Sequence, residues 1–194
     1  MDITDIILES EEALAREVAL GVIVKRPPPL WLSIIPGMFI FDFLRRTAAI
    51  RKYTRYYLFI CKQALTVAGW IHSETDKTTA LEQVEMPVKS WMISQGCFHE
   101  KTFPLLMEMI GQLAGHYARL MRNPVNDYAG MVLGAYTNRD TLNHFLDDLA
   151  RSEKQLVDEI LIHCRPAENI GGRMKAEQEE AAQRRQKRAV EIFT

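Results

Sequence analysis

Apolar residues recur three and four positions apart along nearly the whole chain, the spacing of helices that each bury one face. In the first segment Ile3, Ile6, Ile7, Leu14, Val18 and Val22 fall on one stripe. Acids crowd its early turns, Lys25 and Arg26 follow its end, and Pro27, Pro28 and Pro29 stop it. A second helix is expected from about Thr47 to Ile71, with a seam running from Ile50 through Tyr53, Tyr57, Ile60 and Ala64 to Val67 and Ile71. A third, weaker one covers about Thr78 to Gln95, bent or broken near Pro87. The fourth begins with Thr102 as N-cap and Pro104 in its first turn, and Asn123-Pro124 closes it. A short helical piece is expected over Asp127 to Tyr136. The fifth long helix runs from near Asn138 to about His163, with Leu142, Leu146, Leu149, Leu156 and Ile160 in register.

Beyond Arg165-Pro166, Gly171-Gly172 reads as a flexible joint, and the last stretch is helix-prone with a poor apolar stripe. No alternating run of β-branched residues occurs, so strands are not expected. The pattern predicts an all-α fold: an antiparallel helical bundle of about four or five helices, with an apolar N-terminal arm and a charged C-terminal helical tail. The corresponding units are 1–46 (amphipathic helix plus arm), 47–165 (bundle) and 166–194 (charged tail, flexible or helical). Gly111 and Gly115, four apart on the fourth helix, predict close packing of a neighbour there.

Composition narrows the class without changing this picture. With 47% hydrophobic and 25% charged residues in 194, long disorder and fibrous repeats are excluded. The cysteines Cys61, Cys97 and Cys164 are odd in number and widely spaced, which fits free thiols in a reducing compartment. The start, MDITDIILESEEALA, lacks the basic region of a secretory signal. An intracellular protein is expected on both counts.

Charge changes the picture more. The net value of -1 conceals segregation: Asp2, Asp5, Glu9, Glu11, Glu12 and Glu17 face only Arg16 in the first helix. Arg45, Arg46, Arg51, Lys52, Arg55 and Lys62 then form a block without any acid, and RRQKR at Arg184 to Arg188 forms a second basic knot. Pairing of the first helix with the second is the simplest account.

The stretch Leu30 to Leu44 is almost wholly apolar, with Trp31, Phe39, Phe41 and Phe43 and a central Pro36-Gly37. As a helix it would reach about 22 Å, short of the roughly 30 Å hydrocarbon core of a bilayer. Both flanks are positive, so both ends prefer the same side of a membrane. Two uses remain. A shallow hairpin could insert Trp31, Phe39 and Phe41 while Arg45, Arg46, Arg51, Lys52 and Arg55 meet anionic headgroups, with Tyr53, Tyr56 and Tyr57 at the interface. Alternatively the arm packs on the bundle or on a protein partner, including a second copy, and Asp42 leans toward that use.

Catalytic and metal chemistry find little support. A carboxylate-bridged di-iron bundle needs Glu-x-x-His on two helices, and none of the five histidines has Glu three residues before it. The nearest approaches are Asp140 with His144 and Glu159 with His163, each four apart on one helix face. His116 reads as a satisfied core histidine. No GxSxG or phosphate-binding glycine loop occurs, and His163 and Cys164 point about 100° apart on a helix. No catalytic residue, cofactor or small-molecule substrate is assigned, and nucleic acid is disfavoured because the chain is not basic overall. The expected role is a non-enzymatic intracellular interaction protein, self-associating or attached to a membrane surface or membrane complex through the arm 30–44 and the basic block 45–62. It would lie in the cytoplasm or at the inner face of a membrane. The alternative is a helical-bundle enzyme or carrier that binds a metal, haem or apolar ligand.

Overall fold

The computed structural model describes residues 2–23 and 38–194. Among them the chain is helical with no strand, and seven helices replace the four or five expected. They are α1 (Ile3–Ile23), α2 (Met38–His72), α3 (Lys77–Ser94), α4 (Thr102–Met121), α5 (Tyr128–Ala135), α6 (Arg139–His163) and α7 (Glu168–Ile192).

Local signals place most of the starts. Asp76 caps α3 by accepting from the Thr78 and Thr79 N–H groups at 3.0 and 3.4 Å. Asp127 caps α5 through Gly130 N–H at 2.7 Å, and Asn138 caps α6 through Thr141 N–H at 2.9 Å. Thr102 departs from its expected role. The cap position of α4 is Lys101, and the fully buried Thr102 hydroxyl instead donates toward Cys97 O and His99 O at 3.0 and 3.1 Å. It pins the loop between α3 and α4 rather than a helix end. Pro87 neither breaks nor ends α3. It stands on the exposed face with Gln83, whose carbonyl loses its helical donor on the side where water can replace it.

Helix α2 is the spine. It lies along α4 and α1 and carries α3, while α6 pairs with α7 and packs on α4. The core between them is apolar in the expected register: Ile7, Val67, Val88, Ile110, Leu120 and Leu149 are fully buried. Helix α2 begins at Met38, not near Thr47, and runs unbroken past residues 46 and 47. The outer half of the expected arm is thus its first two turns. Trp31 lies outside the described residues, as do the side chains of Phe39, Phe41 and Arg45.

The C-terminal segment gives the largest correction. Gly171 and Gly172 are no joint, since both sit inside α7. Arg165, in the left-handed region at φ 44°, and Pro166 reverse the chain, and α7 then packs back on α6 and α1. A methyl group added at Gly171 would come within 2.9 Å of the Leu161 side chain, so the two helices approach closely. The inward stripe of α7 is Gly171, Glu177, Ala181, Arg185 and Ala189, a helical register written in small and charged residues. Hydrophobic counting cannot see it.

The basic knot is what holds that stripe in place. Arg185, 8% exposed, grips Glu153 of α6 with both guanidinium nitrogens at 2.7 and 2.8 Å. The same side chain donates to Tyr57 of α2 at 3.2 Å, and Tyr57 donates to Glu11 of α1 at 2.6 Å. Arg188 bonds Glu17 at 2.9 Å and the Ser10 carbonyl at 3.0 Å, and Arg184 reaches Glu17 at 3.7 Å. The first and second helices do pack together, joined by the Tyr57–Glu11 bond and by Arg46 to the Ile23 carbonyl, while Glu17, alone of the α1 acids in ion pairs among the described residues, is taken by arginines of α7.

Gly111 and Gly115 separate. A Cβ at Gly111 would touch Lys77 at 3.3 Å and Leu81 at 3.4 Å, so α3 does pack closely there. Gly115 is exposed with nothing within 4 Å of an added Cβ, and it supports no close contact.

Removing the Arg185 guanidinium alone leaves Glu153 charged and largely enclosed. Arg185→Met should lower unfolding free energy by about 3–5 kcal/mol in denaturant titrations, and adding Glu153→Met should restore most of it. A single-variant loss below about 1 kcal/mol would mean that the pair does not hold α7.

Candidate functional site

Small and charged residues on α7 do not fill the space that apolar side chains of α2, α3, α4 and α6 leave open. The result is a cavity of about 530 Å³ bounded by those five helices, within the roughly 300–1,000 Å³ of small-molecule sites. Its body is apolar, formed by such residues as Ile60, Met92, Met109, Leu156, Ile160 and Met174. Trp91 stands at its side, stacked on Phe59 at 4.6 Å and edge-on to Tyr56 at 5.8 Å. Exposed Lys52, Gln95 and Gly96 and half-buried Pro166 are also in its wall, so the cavity opens to solvent.

Two groups centred on buried charged residues interrupt this lining. One is the Arg185–Glu153–Tyr57 cluster, internally bonded. Burial pushes the Tyr57 hydroxyl far above its ordinary range, so it stays a neutral donor to Glu11. The other lies on α7 alone. Glu177 is 8% exposed, and its Oε1 approaches Arg173 Nε to 3.3 Å. The approach is an ion pair without hydrogen-bond geometry, and neither buried atom has a hydrogen-bond partner among the described residues. Burial raises the Glu177 carboxyl to about 7, with Arg173 pulling in the other direction.

Of the surface and thiol candidates singled out from sequence, Lys52, Tyr53, Tyr56, Tyr57 and the three cysteines line this cavity, the Lys52 ammonium 5.4 Å from the centre of the Tyr56 ring. Tyr53 and Tyr57 face inward, stacked at 6.1 Å and packed with Leu14, Val18 and Ala181, rather than outward beside the basic block. Arg46 bonds the Ile23 carbonyl at 3.4 Å. Arg51 and Arg55 are exposed. The cavity itself was missed, along with Glu153, Arg173, Glu177 and Arg185. The available signal was the three-and-four spacing of Gly171, Met174, Glu177, Ala181 and Arg185, which a scale of apolarity scores as solvent-facing.

The histidines divide as their surroundings dictate. His116 is buried, with Nδ1 2.6 Å from the Tyr136 hydroxyl, Nε2 3.3 Å from that of Tyr128, and its ring stacked on Phe145. Burial, then Arg119 and Arg185, lower it to about 3, so it is a neutral core group as expected. His163 pairs with Glu159 at 3.0 Å and stacks on His99 at 4.1 Å. Asp140 and His144 are both exposed. Among the described residues no three His, Cys, Asp or Glu side chains converge as metal ligands would. A second void, about 40 Å³ beside Glu11, His116 and Arg188, has room for about one water. No family model, curated protein or solved structure matches the chain.

The Glu177 environment has a pH signature. In the fold it keeps its proton up to about pH 7, whereas in the unfolded chain it loses it near 4.5. Its stabilising contribution is complete below 4.5 and is lost as pH rises through 7. Glu177→Met should therefore gain stability over the parent on going from pH 5 to pH 8, by about 1–3 kcal/mol in paired denaturant titrations. A difference independent of pH would show that the carboxyl is solvated.

Proposed function

We propose that the chain is a non-enzymatic carrier or sensor that holds an apolar small molecule in the cavity between α2, α3, α4, α6 and α7. The observation that carries this is the cavity: about 530 Å³ of mainly apolar lining, opening to solvent. Native interiors are close-packed, and voids much larger than a water molecule are few. Its two buried charged groups are ion pairs, and burial pushes the thiols of Cys61, Cys97 and Cys164 in its wall away from the nucleophilic thiolate, which favours binding over catalysis. This is the apolar-ligand form of the carrier alternative. Metal and haem find less support: among the described residues the wall holds no histidine, and its thiols do not converge with other ligands.

Binding is testable with N-phenyl-1-naphthylamine, a neutral dye that brightens in apolar surroundings. The wild type should bind one dye per chain and melt at a higher temperature in its presence. Met174→Trp, which adds an indole ring to the cavity wall at a half-buried position, should leave the chain folded and weaken dye binding. Absence of saturable binding by the folded wild type would overturn the proposal.

A second reading has its own observation. Arg51, Arg55 and Lys62 project from α2 within an arc of about 40° at 100° per residue. All three are exposed, and no ion pair engages them among the described residues. This row is available to an anionic surface, with Lys52 linking it to the cavity mouth. Attachment to anionic lipid would let a ligand pass between bilayer and cavity. Vesicles containing phosphatidylserine should bind the protein, and making the three residues Gln should weaken that by about 1 kcal/mol for each charge removed. Equal binding of neutral and anionic vesicles would exclude this use.

A further inference from the structure

We infer that the cavity takes a long-chain carboxylate, with its alkyl chain in the apolar body and its head beside Lys52 at the mouth. The inference rests on the carrier reading and adds the head-group charge.

The charged residues of the wall are Lys52, Glu153, Arg173, Glu177 and Arg185. Arg185 is committed to Glu153 through both guanidinium nitrogens, and Arg173 faces Glu177 at 3.3 Å. Lys52 has no acid: no ion pair or hydrogen bond engages it among the described residues. Its ammonium lies 5.4 Å from the centre of the Tyr56 ring, a contact that attracts the cation and leaves its N–H donors unused. The three thiols and the Tyr53 and Tyr57 hydroxyls, all raised by burial, add no charge. The wall is therefore positive in either state of Glu177. One cation is left over when that carboxyl is ionised, and two are left over when it is protonated, below about pH 7.

This balance selects among head groups. An ammonium head would add a like charge, and an alcohol would leave the excess as it stands. A carboxylate offsets it. Position favours the same head. Lys52 is exposed, as are Gln95 and Gly96 of the wall, so a carboxylate meets the ammonium while it stays hydrated. The cost of taking an unpaired charge into the apolar body is thereby avoided. That body is formed by such residues as Ile60, Met109, Leu156 and Ile160. Wall residues on α6 run from Glu153 to Cys164, about 16 Å of helix, which suits an alkyl chain lying along it.

The test uses decanoate, decan-1-ol and decyltrimethylammonium at pH 8, below micellar concentration, as competitors for N-phenyl-1-naphthylamine on the full chain. Decanoate should displace the dye with higher affinity than decyltrimethylammonium, and added salt should narrow the difference. Lys52→Met keeps an apolar stem over Tyr56 and removes the charge. It should bind the dye and decan-1-ol as the parent does, and decanoate about fivefold more weakly, the loss of one cation beside an anion. Lys52→Arg should keep the parent's affinity for decanoate. Far-UV circular dichroism and dye binding confirm that each variant is folded. Failure of decanoate to displace the dye, equal or tighter binding of the ammonium, or an unchanged affinity for decanoate in Lys52→Met would overturn carboxylate selection while dye binding leaves the carrier reading standing. Failure of the wild type to bind the dye would overturn both.

Discussion

A guanidinium taken out of water must be neutralised and hydrogen-bonded, and Arg185 is where this chain meets that demand. Its two bonds to Glu153 join α7 to α6, and its bond to Tyr57 joins α7 to α2. Tyr57 passes the connection to Glu11 of α1. Four helices are thereby fixed relative to one another by a network whose members are each useless alone. Apolar contacts tolerate small shifts, but a two-pronged guanidinium–carboxylate bond does not, so it sets the register of α7. A buried pair of this kind adds less stability than its strength suggests, because desolvation opposes it. Its contribution here is position.

The position of α7 also creates the cavity. Glu177, Ala181 and Arg185 stand in its wall, across from Met109 and Leu156. The same residues line that space with one satisfied ion pair and one unsatisfied pair. A fold selected only for stability would gain by replacing both. Their presence in the wall of an apolar cavity is what supports a ligand-binding role.

Charge distribution follows from the same helix. Glu17 of α1 takes Arg184 and Arg188, and Glu153 of α6 takes Arg185, so three arginines of the basic knot are neutralised by carboxylates of other helices. The basic row on α2 is left facing outward. A near-neutral chain thus carries a local row of exposed cations, Arg51, Arg55 and Lys62, on one face of α2.

Helix positions were legible in the sequence because their causes are local. The apolar spacing of α1, α4 and α6 and the cap residues Asp76, Asp127 and Asn138 act within a turn or two of themselves. Gly171 misled because a glycine pair signals flexibility in an isolated chain and close approach in a packed one. The burial of Arg185 depends on Glu153, 32 residues away, and that of Arg188 on Glu17, 171 residues away. Whether a charged residue faces water or core is decided by a partner that a period of 3.6 does not contain. The cavity belongs to the same class, being a shortage of side-chain volume among five helices that no one segment displays. Sequence by itself determined the helices and most of their inward faces. Tertiary structure decided which charges are buried and where space remains, because neutralisation and packing are properties of neighbours in space.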